Sequence, residues 1–392
     1  MVGQLLIKTM NLKNLLSFGE ASNDITFGSL NVLIGPNGSG KSNLIEAISL
    51  LQATPRDLAL AVRKGGGVRD WLWKGAKETP TARLEITVSH PPEGMKDLRY
   101  AFAFTEIGQR FELVDEWIEN VIPDDGEIEP YFFYRYQHGH PVLNVKQERR
   151  SLRREDVDPE KSILAQRKDP DQYPELTWLG EQFAKIKIYR EWIFGRKSAL
   201  RLPQEVDAPN DFLSQDCQNL GLVLNQLRRR PQVKRQILKY LAEFYEGVED
   251  FDISVEGGTV QLFLQERDYT IPATRLSDGT IRYICLLGIL CHPEPPPLIC
   301  IEEPELGIHT DILPLLADLI KEASGRTQLI ITTHSDVLVD ELTDSPESVM
   351  ICEKDEGSTS IRRLESENLK AWLKKYTLGE LWRKGEIGGN RW

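Results

Sequence analysis

The sequence predicts an α/β fold: a mixed sheet with parallel strands around one ligand site, an antiparallel β layer and a helical insertion. Three observations predict it. A glycine-rich turn near residue 35 separates an apolar strand from an apolar helix. Strand and helix patterns alternate between about 298 and 332, as they do in a parallel sheet. Between these regions, alternating strands near 82–106 give way to helical periodicity from about 175 to 247.

The elements follow in order. The run 28–34 (GSLNVLI) is short, apolar and bounded by glycine, which suits a buried strand. The helix predicted at 41–51 carries Leu44, Ile45, Ile48 and Leu51 at helical spacing. Stretches 82–90 and 98–106 alternate apolar and polar residues, as half-buried strands do, and 131–145 continues that layer. Spacings of three and four predict helices at 212–227 and 233–244. Strands return from Phe251 (FDISV, TVQLFLQ). A helix near 279–290, a strand at 298–301, a helix at 311–323 and a strand at 328–332 follow. The expected division is a first lobe over 1–165, a mainly helical insertion over 166–250 and a second lobe over 251–392.

The chain has 392 residues, 40% hydrophobic and 28% charged, with a net charge of −12. This composition excludes wholesale disorder. The longest apolar runs, such as 283–291, are too short for a bilayer, which needs about 20 residues. Lys8, Asn11, Lys13 and Asn14 interrupt the N-terminus, so it does not read as a secretory signal. Five scattered cysteines with apolar neighbours fit reduced core thiols, and the expected location is the cytoplasm, with no membrane partner. Charge is uneven. Residues 145–240 hold 20 Lys/Arg against 14 Asp/Glu, a net of +6, which leaves −18 elsewhere. This stretch reads either as solvated helix faces or as a face for phosphates.

Gly35-Pro-Asn-Gly-Ser-Gly-Lys-Ser42 matches G-x-x-x-x-G-K-S at every fixed position. Its glycines let backbone N–H groups turn toward phosphates, and the following helix start adds partial positive charge. Gly35, Asn37, Gly38, Ser39, Gly40, Lys41, Ser42 and Asn43 are the expected nucleotide contacts. Lys41 should reach the β- and γ-phosphates, and the Ser42 hydroxyl should bind Mg²⁺. The strand at 298–301 ends in Glu302-Glu303-Pro304-Glu305. Acids at the carboxyl end of a buried strand face the ligand crevice of such sheets. Glu302 should hold the metal, and Glu303 should orient or deprotonate the attacking water. The strand at 328–332 leads to Thr333, His334 and Ser335, which places His334 as a second group able to contact the γ-phosphate. Upstream, Leu276-Ser-Asp-Gly-Thr280 starts a helix with Ser277 as N-cap.

Taken together, the P-loop, LSDGT, CIEEPE and TTHS, in that order, resemble the ABC-type ATPases, specifically the soluble SMC/RecF/OLD-like branch. The tail at 378–391 (LGELWRKGEIGGNR) resembles the prokaryotic RecF-like AAA family ATPases within it. The resemblance implies an ABC-type P-loop ATPase head that hydrolyses ATP with Mg²⁺. Two heads would sandwich two ATP molecules, giving a homodimer or higher oligomer through shared ATP. Ser277 and Gly279 would contact the γ-phosphate in trans. Glu302 would match the metal acid, Glu303 the catalytic acid and His334 the switch histidine. Gln166 is the candidate glutamine-loop residue for nucleotide and metal. The sequence departs from the group at Asp278 and Thr280 (LSDGT for LSGGQ), at Glu302 (for Asp) and at His309 (for the D-loop aspartate). No long coiled coil separates Ser42 from Ser277, and 58 residues after His334 are too few for a TOPRIM nuclease. The expected function is a DNA-linked ATPase in repair or antiviral defence. Its DNA face would lie in 145–240, with any nuclease or toxin on a separate chain. An ATP-held scaffold that sequesters a partner protein and a transporter motor are the alternatives.

Overall fold

The computed structural model describes residues 5–21, 24–90, 96–137, 139–145, 148–151, 157–190, 192, 195 and 198–389. The chain divides into two units. The P-loop unit takes the described residues within 4–186, 347–365 and 385–389. The signature unit takes those within 187–346 and 366–384.

In the P-loop unit, the strand Leu30–Ile34 is buried at every position and leads into the helix Lys41–Ala53. Leu44, Ile45, Ile48 and Leu51 are fully buried, and so are Ala47 and Leu50, so the helix is covered nearly all round. Leu30–Ile34 pairs in parallel with Val349–Asp355, which forms an antiparallel hairpin with Ser358–Arg363. The antiparallel layer runs Ile25–Thr26, Ile7–Lys13, Ala82–Val88, Leu98–Ile107, Arg110–Asn120, Phe132–Gln137, His140–Val145, Glu148–Ser151 in spatial order. Ala82–Val88 alternates buried and half-buried residues, as its sequence predicts.

The carboxyl end of the P-loop helix is tied to the segment 163–186. Gln52 Nε2 donates to the Ile186 carbonyl (2.5 Å), and Lys168 Nζ to that of Pro55 (3.0 Å). Beside it, Glu116 is buried with three donors: Tyr100 OH (2.9 Å), Ser162 Oγ (2.5 Å) and Ile163 N (2.8 Å). Burial pushes this carboxyl up from 4.5 to about 7, against the pull of those donors.

In the signature unit, Lys187–Tyr189, Leu298–Glu302 and Gln328–Thr332 form a parallel sheet with Glu302 opposite Thr332. The helix Leu313–Ser324 connects the last two strands. The helix Asp278–Leu290 is buried from Thr280 to Leu290. An antiparallel sheet of Val248–Glu256, Thr259–Glu266 and Tyr269–Pro272 accompanies the helices Leu220–Leu227 and Pro231–Phe244. The helix predicted from Phe212 starts only at Leu220. Asn219 explains the delay: its amide donates to the Pro209 (2.7 Å) and Phe212 (3.0 Å) carbonyls and accepts from Ser214 N (2.8 Å). Side-chain bonds to the main chain there replace helical ones. All five cysteines are buried free thiols. Among the described residues, no helix is long and apolar enough to cross a membrane.

Glu116 sets an expected pH dependence. Its folded pKa lies above its unfolded one, so the native state holds the extra proton between pH 4.5 and about 7. Stability should therefore fall as pH rises through that window, by on the order of 3 kcal/mol in all. Thermal midpoints measured from pH 5 to 8 should decline, and Glu116→Gln should flatten the decline.

Candidate active site

The glycine-rich loop is shaped by two close approaches within its own unit. Gly40 adopts φ +106°, and a Cβ there would collide with Thr359 and Ser17. The Thr359 hydroxyl offers its one hydrogen to the Ser39 carbonyl (2.9 Å) or to Ser17 Oγ (2.7 Å), while Thr359 N donates to the Ser17 carbonyl (2.8 Å). Gly38 also has positive φ (+79°) but faces open space. No side chain caps the helix at Gly40, so its first N–H groups are left for an anion. Lys41 is buried, and its ammonium donates to the Gly35 (2.8 Å) and Pro36 (3.1 Å) carbonyls. Ser39 Oγ is buried without a hydrogen-bond partner among the described residues. Asn37, Gly38 and Ser42 are exposed at the mouth, and Asn43 is half-buried. An open glycine, an uncapped helix start and a buried lysine fit a polyphosphate. Ser42 fits a Mg²⁺ ion that takes its other oxygens from phosphates and water.

The acid cluster lies in the signature unit. Glu302 ends its strand, and its Oε1 meets Arg190 Nε at 3.2 Å. Glu303 adopts φ +45°, a left-handed conformation that ordinary side chains resist. Pro304 follows it and disfavours the right-handed helical alternative. The Glu303 N–H donates to the Thr332 carbonyl (2.9 Å). His334 Nε2 stands 3.8 Å from Glu303 Oε1, and both side chains are partly exposed. Two expected catalytic residues are thus brought together. Glu305 joins the two loops, accepting from Thr333 Oγ1 (2.6 Å) and His334 N (2.9 Å). Among the described residues, no group of three or more His, Cys, Asp or Glu could hold a metal. Any metal bound through Glu302 would therefore need oxygens from outside such a protein cage.

Ser277 caps its helix at an exposed tip, with Oγ accepting from Thr280 N (3.0 Å). Gly279 serves a backbone approach within its own unit, because a Cβ there would strike the Gly307 carbonyl. Arg201, almost fully buried, donates to the Ala273 (3.0 Å) and Leu276 carbonyls and pairs with Asp278. The atypical Asp278 is therefore an anchor for the tip. His309 is exposed and caps the short turn Thr310–Ile312. Gln166 is engaged by its own turn: its amide donates to the Lys161 carbonyl (2.8 Å) and accepts from Asp158 N (2.9 Å). The tail helix Leu378–Arg383, with a Thr377/Glu380 capping box, docks on Asp336–Asp340 just after His334. It does so through Gly379 N to Asp340 (2.7 Å) and Arg383 to Asp336 (2.7 Å).

Part of the basic stretch is neutralised within its own unit. Arg228 pairs with Asp252 (2.5 Å), Arg230 with Glu294 (2.9 Å) and Lys234 with Asp250 (2.7 Å). Arg229, Arg235 and Lys239 are exposed, with no ion pair among the described residues. Lys146, Arg153 and Arg154 of the basic stretch lie outside the described residues.

Ser17, Thr359, Arg201, Arg282 and Trp192 were not singled out from the sequence. Only Arg282 left a signal, as the one charge in the otherwise apolar run IRYICLLGIL.

A sequence profile described as "AAA domain, putative AbiEii toxin, Type IV TA system" matches residues 30–340. The chromosome partition protein Smc of Mycobacterium tuberculosis is 31% identical over 84 residues, which is 21% of this chain and 7% of Smc. The matched span is thus a small part of that relative. Among solved structures, an Smc head bound to the C-winged helix domain of ScpA is 17% identical with a TM-score of 0.59, covering 93% of this chain and 99% of that one. An Smc head with an extended coiled coil, bound to the C-terminal domain of ScpA from Pyrococcus furiosus, is 14% identical with a TM-score of 0.59, covering 94% and 99%. The fold is that of SMC-type ATPase heads.

Two substitutions separate strain from collision in the loop. Gly38→Ala should cost about 1 kcal/mol, the penalty for a left-handed alanine. Gly40→Ala should cost at least about 2 kcal/mol, because Thr359 fills the space. Denaturant midpoints at constant slope check the order.

Proposed function

The chain belongs to the AAA-domain family that carries the AbiEii, type IV toxin–antitoxin description, and we propose that it is an ATP- and Mg²⁺-dependent switch in which two copies close around shared ATP and open on hydrolysis. The observation that carries this reading is the paired acid and histidine, Glu303 and His334, in a chain that also carries an open, uncapped P-loop. Backbone N–H groups of residues 38–43 and the Lys41 ammonium bind the phosphates. Ser42, and Glu302 directly or through water, would hold Mg²⁺, which would supply charge neutralisation for the transferring phosphoryl group. Glu303 orients the attacking water and accepts its proton as the bond from the β,γ-bridging oxygen to the γ-phosphorus breaks. His334, beside Glu303, donates to the γ-phosphate. Ser277, at its exposed tip, caps the nucleotide held by the other copy, so loss of the γ-phosphate releases the pair.

The work of the switch is on DNA, in repair or antiviral defence, with any nuclease or toxin on a separate chain. Arg229, Arg235 and Lys239, clustered within eleven residues, are exposed described cations placed for backbone phosphates. Three contacts give a shallow salt dependence, of slope about −3 or smaller.

Mass measurement tests the switch. Glu303→Gln with ATP and Mg²⁺ should double in mass and hydrolyse at least ~100-fold more slowly than the parent chain. Lys41→Ala should stay at its nucleotide-free mass. A Glu303→Gln chain whose mass ignores ATP would refute the shared-nucleotide reading. For the DNA half, duplex binding should weaken with salt and vanish in the triple variant Arg229→Ala, Arg235→Ala, Lys239→Ala.

A further inference from the structure

The acid pair is held from behind by two stacked side chains. Trp192 Nε1 donates to the Glu302 carbonyl (3.2 Å), and Arg282 Nη2 donates to the Glu303 carbonyl (2.8 Å). The Arg282 guanidinium lies over the Trp192 ring, 4.7 Å from its centroid. Tyr189 stacks on the same Trp192 ring, with 5.9 Å between centroids. Two consecutive main-chain carbonyls are thus gripped by one cation–π pair drawn from two elements. Arg282 is only 5% exposed in a helix otherwise apolar from Ile281 to Leu290. Burial lowers its pKa to about 10, and the nearby Glu303 and Glu305 charges oppose that shift. A buried cation in such a helix costs desolvation, and an apolar residue of similar length often serves stability equally well. Its position identifies what it does instead. It reaches the carbonyl of Glu303, the member of the Glu302/Glu303 pair whose backbone is left-handed, and it sits five residues after Ser277 on the same helix.

We propose that Arg282, stacked on Trp192, is a positioning residue that holds Glu303 in its left-handed conformation and ties it to the helix whose tip carries Ser277. The inference rests on Glu303 being the hydrolytic acid. With Thr332 holding the Glu303 N–H and Arg282 its carbonyl, the residue is fixed at both peptide groups. Neither grip touches the carboxylate oxygens, of which Oε1 stands 3.8 Å from His334 Nε2. Movement of the signature helix would reach the acid through a single guanidinium.

Steady-state hydrolysis and ATP affinity of the full chain test this. Arg282→Met keeps an unbranched apolar stem in the same place but removes the donor. It should lower kcat by about 10- to 100-fold, the effect of a small misplacement of a reacting group, while the ATP Kd stays within about twofold of wild type. Arg282→Lys should recover part of the rate. Trp192→Phe, which keeps the ring and loses the N–H, should give a smaller loss in kcat at unchanged Kd, and it serves equally if Arg282→Met fails to fold. In a Glu303→Gln background, none of these changes should slow the residual rate further. Wild-type kcat in Arg282→Met, or in Trp192→Phe where the methionine variant does not fold, overturns the inference while leaving Glu303 as the acid. So does a further loss in the Glu303→Gln background, which would mark Arg282 as a general structural residue. Wild-type hydrolysis by Glu303→Gln itself would overturn the underlying reading, and this inference with it.

Discussion

Both halves of the chemistry rest on main chain held in a conformation it would not choose. A buried strand delivers the chain to an open edge, and the loop must then turn its polar groups outward within a few residues. At Gly40 this is achieved by having no side chain at all. At Glu303 it is achieved with a full carboxylate, so the left-handed backbone must be enforced by its surroundings. Each corner is accordingly held by groups distant in sequence: Ser17 and Thr359 for the first, Thr332 and Arg282 for the second.

Charge is organised on the same principle. The chain is acidic overall, yet its central stretch is basic. Five of the described cations there answer a carboxylate contributed from later in the sequence: Asp250, Asp252, Asp278, Glu294 and Glu302. The exposed pairs contribute little stability. Arg201–Asp278 differs, because the buried guanidinium also satisfies two carbonyls that close the turn before Ser277.

What could be read from the sequence was whatever is local. The P-loop, the acid-ended strand, Gln328–Thr332 and the helix capped by Ser277 each combine a periodic pattern with a terminating signal within fifteen residues. The hairpin of Val349–Asp355 and Ser358–Arg363 was missed. Its register depends on pairing with Leu30–Ile34, some three hundred residues away. Thr359 is invisible for the same reason: a threonine on a polar strand means nothing until Gly40 is known to lie against it. The helix from Phe212 was overcalled because apolar spacing cannot register the competing amide of Asn219. Gln166 follows an apolar run in the expected place, yet its own turn uses its amide fully.

Lys41 carries a consequence for energetics. Its ammonium is already solvated by two carbonyls of the loop it belongs to, in a pocket that excludes most water. In the function proposed above, arrival of a polyphosphate would be an exchange of oxygens around a fixed cation. The net gain is only the difference between charged and neutral acceptors. The loop thus carries its own internal counter-ligands, and its shape does not depend on an added anion.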